Sequence, residues 1–164
     1  MAYTNKTYVC FDADTDIKYY NLMKAWKEND KIEFNFHNAH EINNLRDGSS
    51  EATIKAKLRE RLQNTKVLVV LIGAKTANLY KYVRWEIEYA IENNIPIVAV
   101  NLNGQKLQDD LCPPILKKEL AMYINFGQKI MNHALNSWTV QHENEKKKGN
   151  SGPFYYPDAV YENL

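Results

Sequence analysis

The chain has 164 residues and a formal net charge of +1. That length suits one domain with a sizeable core, and the near-neutral balance gives no electrostatic case for nucleic acid. The two cysteines, Cys10 and Cys112, make neither a disulfide framework nor a metal spacing, and no apolar run reaches membrane-spanning length, so a soluble, cytoplasmic protein is expected.

Residues 6–11, Lys-Thr-Tyr-Val-Cys-Phe, read as a first strand. Residues 12–16 read as a turn, with Asp16 as the N-cap of the next helix. In that helix Tyr19, Leu22, Met23 and Trp26 fall at i, i+3, i+4 and i+7, one apolar face. Residues 32–36 read as a short strand. The polar stretch 37–49 follows, long for a strand-to-helix connection and of the length that often carries function. Ser49 or Ser50 caps a helix whose inner face is Ile54, Leu58 and Leu62. Then comes the run 67–73, Val-Leu-Val-Val-Leu-Ile-Gly, apolar enough for a strand covered on both faces. An amphipathic helix within 75–94 and a second apolar strand over 95–100 follow. Residues 101–114 read as a loop, 115–118 as a helical turn and 120–124 as a last, edge strand. Ile130, Met131, Ala134, Leu135 and Trp138 stripe a C-terminal helix that is expected to fray over 143–148.

Strand and helix therefore alternate five times. Right-handed crossovers then predict an α/β flavodoxin-like fold, a five-stranded parallel sheet in order 2-1-3-4-5 with helices on both faces. Its switch point lies between the first and third strands. Residues 11–16, the loop from His37 and residues 73–86 converge there. The domain is read as 1–148. The tail 149–164 holds Phe154, Tyr155 and Tyr156, too aromatic for a plain disordered end, and is expected to be docked or partly disordered.

Several motifs are weaker than they look. Asp12, Asp14 and Asp16 suggest a calcium loop, but Ile17 and Met23 stand where that loop needs Gly and Glu. A receiver domain needs an Asp ending the third strand, and this strand ends Leu71-Ile72-Gly73. Gly73-Ala74-Lys75-Thr76 lacks the upstream Gly of a phosphate-binding P-loop and reads as a turn with a helix cap. No G-x-G-x-x-G occurs. His37 and His40 have no partners at metal spacing, so no metal is expected. A flavin-binding electron carrier is disfavoured, because three aspartates after the first strand would repel a phosphate.

Glu86 stands apart. On a helical wheel Val83, Ile87, Ala90 and Ile91 fill one arc, with Glu86 at its margin on the side of Tyr82 and Tyr89. Glu88 falls on the other side, next to Arg84. Glu86 can thus face the cleft partly desolvated, without a buried ion partner, while Glu88 is solvated.

The series Val9-Cys10-Phe11-Asp12-Ala13-Asp14-Thr15-Asp16, the turn Arg46-Asp47-Gly48-Ser49, and the runs Leu71 to Thr76 and Tyr82 to Glu88 together resemble the TIR-like family. More narrowly, they resemble the TIR-like subunit of Thoeris antiphage defence systems. The resemblance covers roughly residues 6–125. It implies a flavodoxin-like fold and cleavage of NAD as substrate, with no bound cofactor. Family enzymes carry an aromatic residue four positions before the catalytic Glu, and Tyr82 and Glu86 stand in that relation. The aromatic is Tyr where Trp is usual, and Trp85 directly precedes the Glu instead.

On that reading Glu86 is the catalytic carboxylate. Phe11 and Tyr82 are expected against the flat ring or ribose, and Asp14, Asn38 and Arg46 at the ribose or pyrophosphate. The product is expected to be a cyclic ADP-ribose isomer or an ADP-ribose conjugate. The resemblance further implies a separate effector reached through that signal, a phage-derived trigger and self-assembly, with no nucleic-acid or membrane partner. The alternative is a catalytically silent TIR-type interaction module, which an exposed aromatic tail would suit.

Overall fold

The computed structural model describes residues 6–29, 35–36, 50–78 and 82–164. In chain order the elements are β1 (Lys6–Cys10), α1 (Ala13–Glu28), β2 (Asn35–Phe36), α2 (Glu51–Leu62), β3 (Val67–Ile72), a 3-10 turn (Thr76–Asn78) and α3 (Tyr82–Glu92). There follow β4 (Ile97–Asn101), β5 (Ala121–Asn125), α4 (Gln128–Lys147), β6 (Pro153–Tyr155) and α5 (Asp158–Glu162). Every strand pair is parallel.

The sheet order is β2-β1-β3-β4-β5-β6. It contains a sixth strand where five are expected, so the full order differs from 2-1-3-4-5 by an added edge. β5 is consequently an interior strand, not the edge that the sequence reading made it. The chain reverses direction across the sheet between β1 and β3, since β1 pairs with β2 on one side and β3 on the other.

Strand alternation divides the core in two. Val9, Val67, Val69, Leu71, Val98 and Val100 face one side, with Tyr20 and Met23 of α1 and Ile130 to Trp138 of α4. Tyr8, Cys10, Leu68, Val70 and Ile72 face the other, with Ile54, Leu58 and Leu62 of α2 and Val83, Ile87 and Ala90 of α3. All six residues of β3 and all five of β4 are buried, as a doubly covered parallel sheet requires.

The helix boundaries correct two expectations. Asp12, not Asp16, caps α1, its side chain accepting from the Asp14 amide at 3.0 Å. The expected turn is therefore already the first helical turn. The buried residues of α1 are Asp16, Tyr20 and Met23, and Leu22 is 47% exposed. Nor does α4 fray over 143–148: it stays helical through Lys147, with an ion pair between Lys147 and Glu143. Ser50 caps α2, accepting from the Thr53 amide at 3.2 Å.

The segment after Gly149 forms β6 and α5. Phe154 tilts against Trp138 with ring centroids 5.5 Å apart, and Tyr156 shares a hydrogen bond of 2.8 Å with the Ser137 hydroxyl. Lys106 pairs with Asp158 at 3.0 Å and sits 4.4 Å from the centre of the Tyr161 ring. Phe154, Tyr156, Val160 and Tyr161 all pack on the α1/α4 side of the core. Truncation after Lys148 should cost about 3 kcal/mol for these apolar contacts. Scanning calorimetry should read that as a melting temperature lower by roughly 6–12 °C; an unchanged melting temperature would show that the tail adds nothing to the fold.

Candidate active site

β1 and β3 end side by side, and their register, Tyr8 opposite Leu68 through Cys10 opposite Val70, aims β1 side chains at α3. Cys10 and Tyr8 lie two residues apart on one strand face, a spacing of about 7 Å. They meet successive turns of α3: the Cys10 thiol lies 4.0 Å from the Val83 carbonyl, and the Tyr8 hydroxyl donates to Glu86 Oε1 at 3.1 Å. Tyr8 is fully buried and Glu86 is 7% exposed. Burial first, and then the neighbouring Glu86 charge, hold the Tyr8 phenol well above its ordinary range; the Arg61 charge on α2 pulls weakly the other way. The phenol is thus a hydrogen-bond donor at any physiological pH.

α3 has the predicted phase. Val83, Glu86, Ile87 and Ala90 are its buried residues. Glu86 lies at the margin of that arc, as the wheel places it, and is buried there with the Tyr8 hydroxyl as a partner. Glu88 turns outward and accepts from Arg84 Nε at 2.8 Å. Tyr82, one turn before Glu86, is half-buried and meets Trp85 edge to face at 5.6 Å. Trp85 in turn carries Lys55 over its ring at 4.5 Å, which ties it to α2.

Of the remaining site candidates, Phe11 and Asp14 are described, and both lie towards α1. Phe11 follows Val9 in the strand alternation, so its ring enters the α1/α4 core and stacks on Tyr20 at 4.9 Å. Its ring thus lies on the opposite face of the sheet from Tyr8. Asp14 is exposed in the first turn of α1. Asn38 and Arg46, with the whole stretch 37–49, lie outside the described residues. Tyr8 is the contact that the sequence reading missed. Its signal was strand parity: two residues before Cys10 on the α3-facing side, it was bound to reach the helix that carries Glu86.

The crevice between β1 and β3 is floored by a close approach. The Gly73 amide donates to Thr76 Oγ1 at 2.8 Å, and that hydroxyl reaches back to the Leu71 carbonyl at 3.3 Å. The Gly73-Ala74-Lys75-Thr76 run is therefore a side-chain-closed turn leading into the 3-10 helix. The carboxyl of Asp16 lies directly over Gly73, where an added Cβ would stand 2.6 Å from Oδ1. Asp16 is 6% exposed, and its Oδ2 has no hydrogen-bond partner among the described residues. Burial, then the charge of Asp12, raise its pKa, with Lys18 opposing.

Two outcomes follow for this floor. Gly73→Ala should destabilise by about 1–3 kcal/mol through overpacking, and much of that loss should disappear in an Asp16→Ala background when both are unfolded in urea. Asp16 binds its proton more tightly folded than unfolded. Its contribution is therefore full below the unfolded carboxyl pKa of about 4 and is lost as pH rises through the raised folded value. Asp16→Asn should accordingly raise the melting temperature at pH 7, with the gain shrinking towards pH 4; a gain that grows on acidification would contradict the burial account.

A cavity of about 550 Å³ lies elsewhere, lined by Lys66, Asn94, Pro96, His142 and Lys146 among others. It opens where β3 and β4 begin, at the opposite end of the sheet from the crevice, and its lysines are exposed. It has no part in the Glu86 site. Among the described residues no group of His, Cys, Asp and Glu gathers that could hold a metal ion, and no helix is long and apolar enough to cross a membrane.

A parallel sheet that reverses between β1 and β3, with a carboxylate held inward on the helix after β3, has the architecture of a TIR-like domain. A family model described as "Thoeris protein ThsB, TIR-like domain" matches residues 8–107, well over half of the chain. The chain belongs to that family, and so to the TIR-like proteins of antiphage defence systems that work with other components. The match spans β1 to the start of the loop after β4, and so includes Tyr8, Gly73, Tyr82 and Glu86.

Proposed function

We propose that this protein cleaves NAD between nicotinamide and ribose, with Glu86 as the catalytic carboxylate. The bond from ribose C1′ to the pyridinium nitrogen breaks, and its electron pair leaves with nicotinamide, which becomes neutral. The ribose passes through an oxocarbenium-like state, as in glycoside cleavage. Nicotinamide needs no general acid to depart. What the reaction asks for is a negative charge, held still and shielded from water, beside the developing cation and the ribose hydroxyls.

The single observation that carries this reading is the buried carboxylate of Glu86 on the first turns of α3, oriented by the Tyr8 hydroxyl. A carboxylate kept inward in an apolar helix face costs desolvation that a purely structural position would avoid with an apolar residue. Tyr82 stands one turn closer to the carboxyl end of the sheet, where ligands bind in open α/β sheets. In a water-poor crevice the cation would be captured by a nucleophile of the same molecule or by a small acceptor. The product is then a cyclic ADP-ribose isomer or an ADP-ribose conjugate, and a separate effector would respond to it on phage infection.

The interaction-module reading keeps only part of its support in the tail, where Tyr155 is 39% exposed. Phe154 and Tyr156 are used internally, against Trp138 and Ser137. They are not left free for a partner.

Glu86→Gln keeps an acceptor for Tyr8 and removes the charge. Turnover of NAD, measured as nicotinamide release from assembled or triggered protein, should fall roughly a hundred- to thousandfold. The melting temperature should change little. Glu88→Gln, which only loses the exposed pairing with Arg84, should keep both turnover and phage protection, since such surface pairs contribute at most about 1 kcal/mol. Loss of activity in Glu88→Gln together with full activity in Glu86→Gln would overturn the assignment.

A further inference from the structure

We infer that Tyr8 is a positioning residue for Glu86, setting the rotation of its carboxylate towards substrate from within the buried core. The inference rests on the reading of Glu86 given above and adds to it the device by which the carboxylate is held. Glu86 emerges from α3 with three rotatable side-chain bonds, and a catalytic group must be fixed to about half an ångström to be effective. The apolar residues beside it, Val83, Ile87 and Ala90, offer packing but no polar contact that would select one orientation.

The Tyr8 hydroxyl does. It is delivered by β1, an interior strand paired on both sides and buried through its Thr7–Cys10 stretch. Its ring lies in the α2/α3 core among Leu68, Val70 and Ile87, so it swings little. It meets Glu86 at Oε1 with a bond of 3.1 Å. The phenol stays protonated, so the bond always runs from tyrosine to carboxylate.

A buried tyrosine hydroxyl needs a partner wherever it lies, and a bond made only for that purpose would leave catalysis untouched. The two roles separate in Tyr8→Phe, which keeps the ring and removes only the donor. With full-length protein and NAD as substrate, kcat should fall on the order of tenfold, the range for a lost hydrogen bond to a charged group. KM should stay within about twofold, because Tyr8 lies below the substrate. In a Glu86→Gln background, Tyr8→Phe should lower the residual turnover no further, since a residue acting through Glu86 has nothing left to position. Circular dichroism and melting temperature confirm that each variant is folded. Should Tyr8→Phe fold poorly, Tyr8→Met, which fills the space without a donor, takes its place in the same comparison. A Tyr8→Phe enzyme with unchanged kcat would overturn this inference while leaving Glu86 as the catalytic group. So would an effect of equal size in both backgrounds. A wild-type protein that releases no nicotinamide when assembled or triggered would overturn the reading of Glu86 itself, and this inference with it.

Discussion

Parallel pairing of β1 with β3, from Thr7 opposite Val67 to Cys10 opposite Val70, decides which side chains of β1 reach which helices. Because side chains alternate along a strand, Tyr8 and Cys10 are committed to α3 once that pairing forms, and Val9 and Phe11 to α1 and α4. A slip of one residue would exchange the two sets. Glu86 would then face Thr7 or Val9 in place of the Tyr8 hydroxyl, and taking a buried partner from a carboxylate costs free energy. Register, core and site therefore stand or fall together. The same pairing brings Gly73 at the end of β3 under Asp16 at the start of α1, and this close approach is possible only because position 73 carries no side chain.

The two ends of the sheet have different chemistry. At the carboxyl end, Asp12 closes the first turn of α1 and Thr76 closes the turn after β3, so the crevice has a rigid floor. On its α2/α3 side Glu86 supplies a carboxylate. At the far edge the chain continues past α4 and adds β6 and α5, which cover Trp138 and protect the outer side of β5. That edge would otherwise present unpaired backbone donors and acceptors to other chains. Three short residues of β6 followed by a helix leave a limited edge in its place.

Much of this was readable from residues. The apolar runs of β3 and β4 announced strands covered on both faces, and the wheel placed Glu88 with Arg84 and Glu86 inward. Other features escaped for identifiable reasons. Asp12 and Asp16 are equally good caps by residue type, and only the tertiary position of α1 selects Asp12. The packing of α1 likewise buries Tyr20 and leaves Leu22 out. Phe11 follows β1 at the switch point, and strand parity puts its ring on the α1/α4 side of the sheet. β6 has three residues and includes a proline, too short and too irregular for any alternation to show. The Tyr8–Glu86 bond joins positions 78 residues apart. No local pattern reveals such a contact until the register of β1 against β3 is known.

The most direct test is a crystal structure of the protein with a carbocyclic NAD analogue, in which the bond to nicotinamide cannot break. The account predicts the nicotinamide-side ring seated over the carboxyl ends of β1 and β3, near Tyr82, with its hydroxyls within hydrogen-bonding distance of the Glu86 carboxylate while Tyr8 still donates to Oε1. An analogue bound at the opposite end of the sheet, or with Glu86 remote from the sugar hydroxyls, would contradict it.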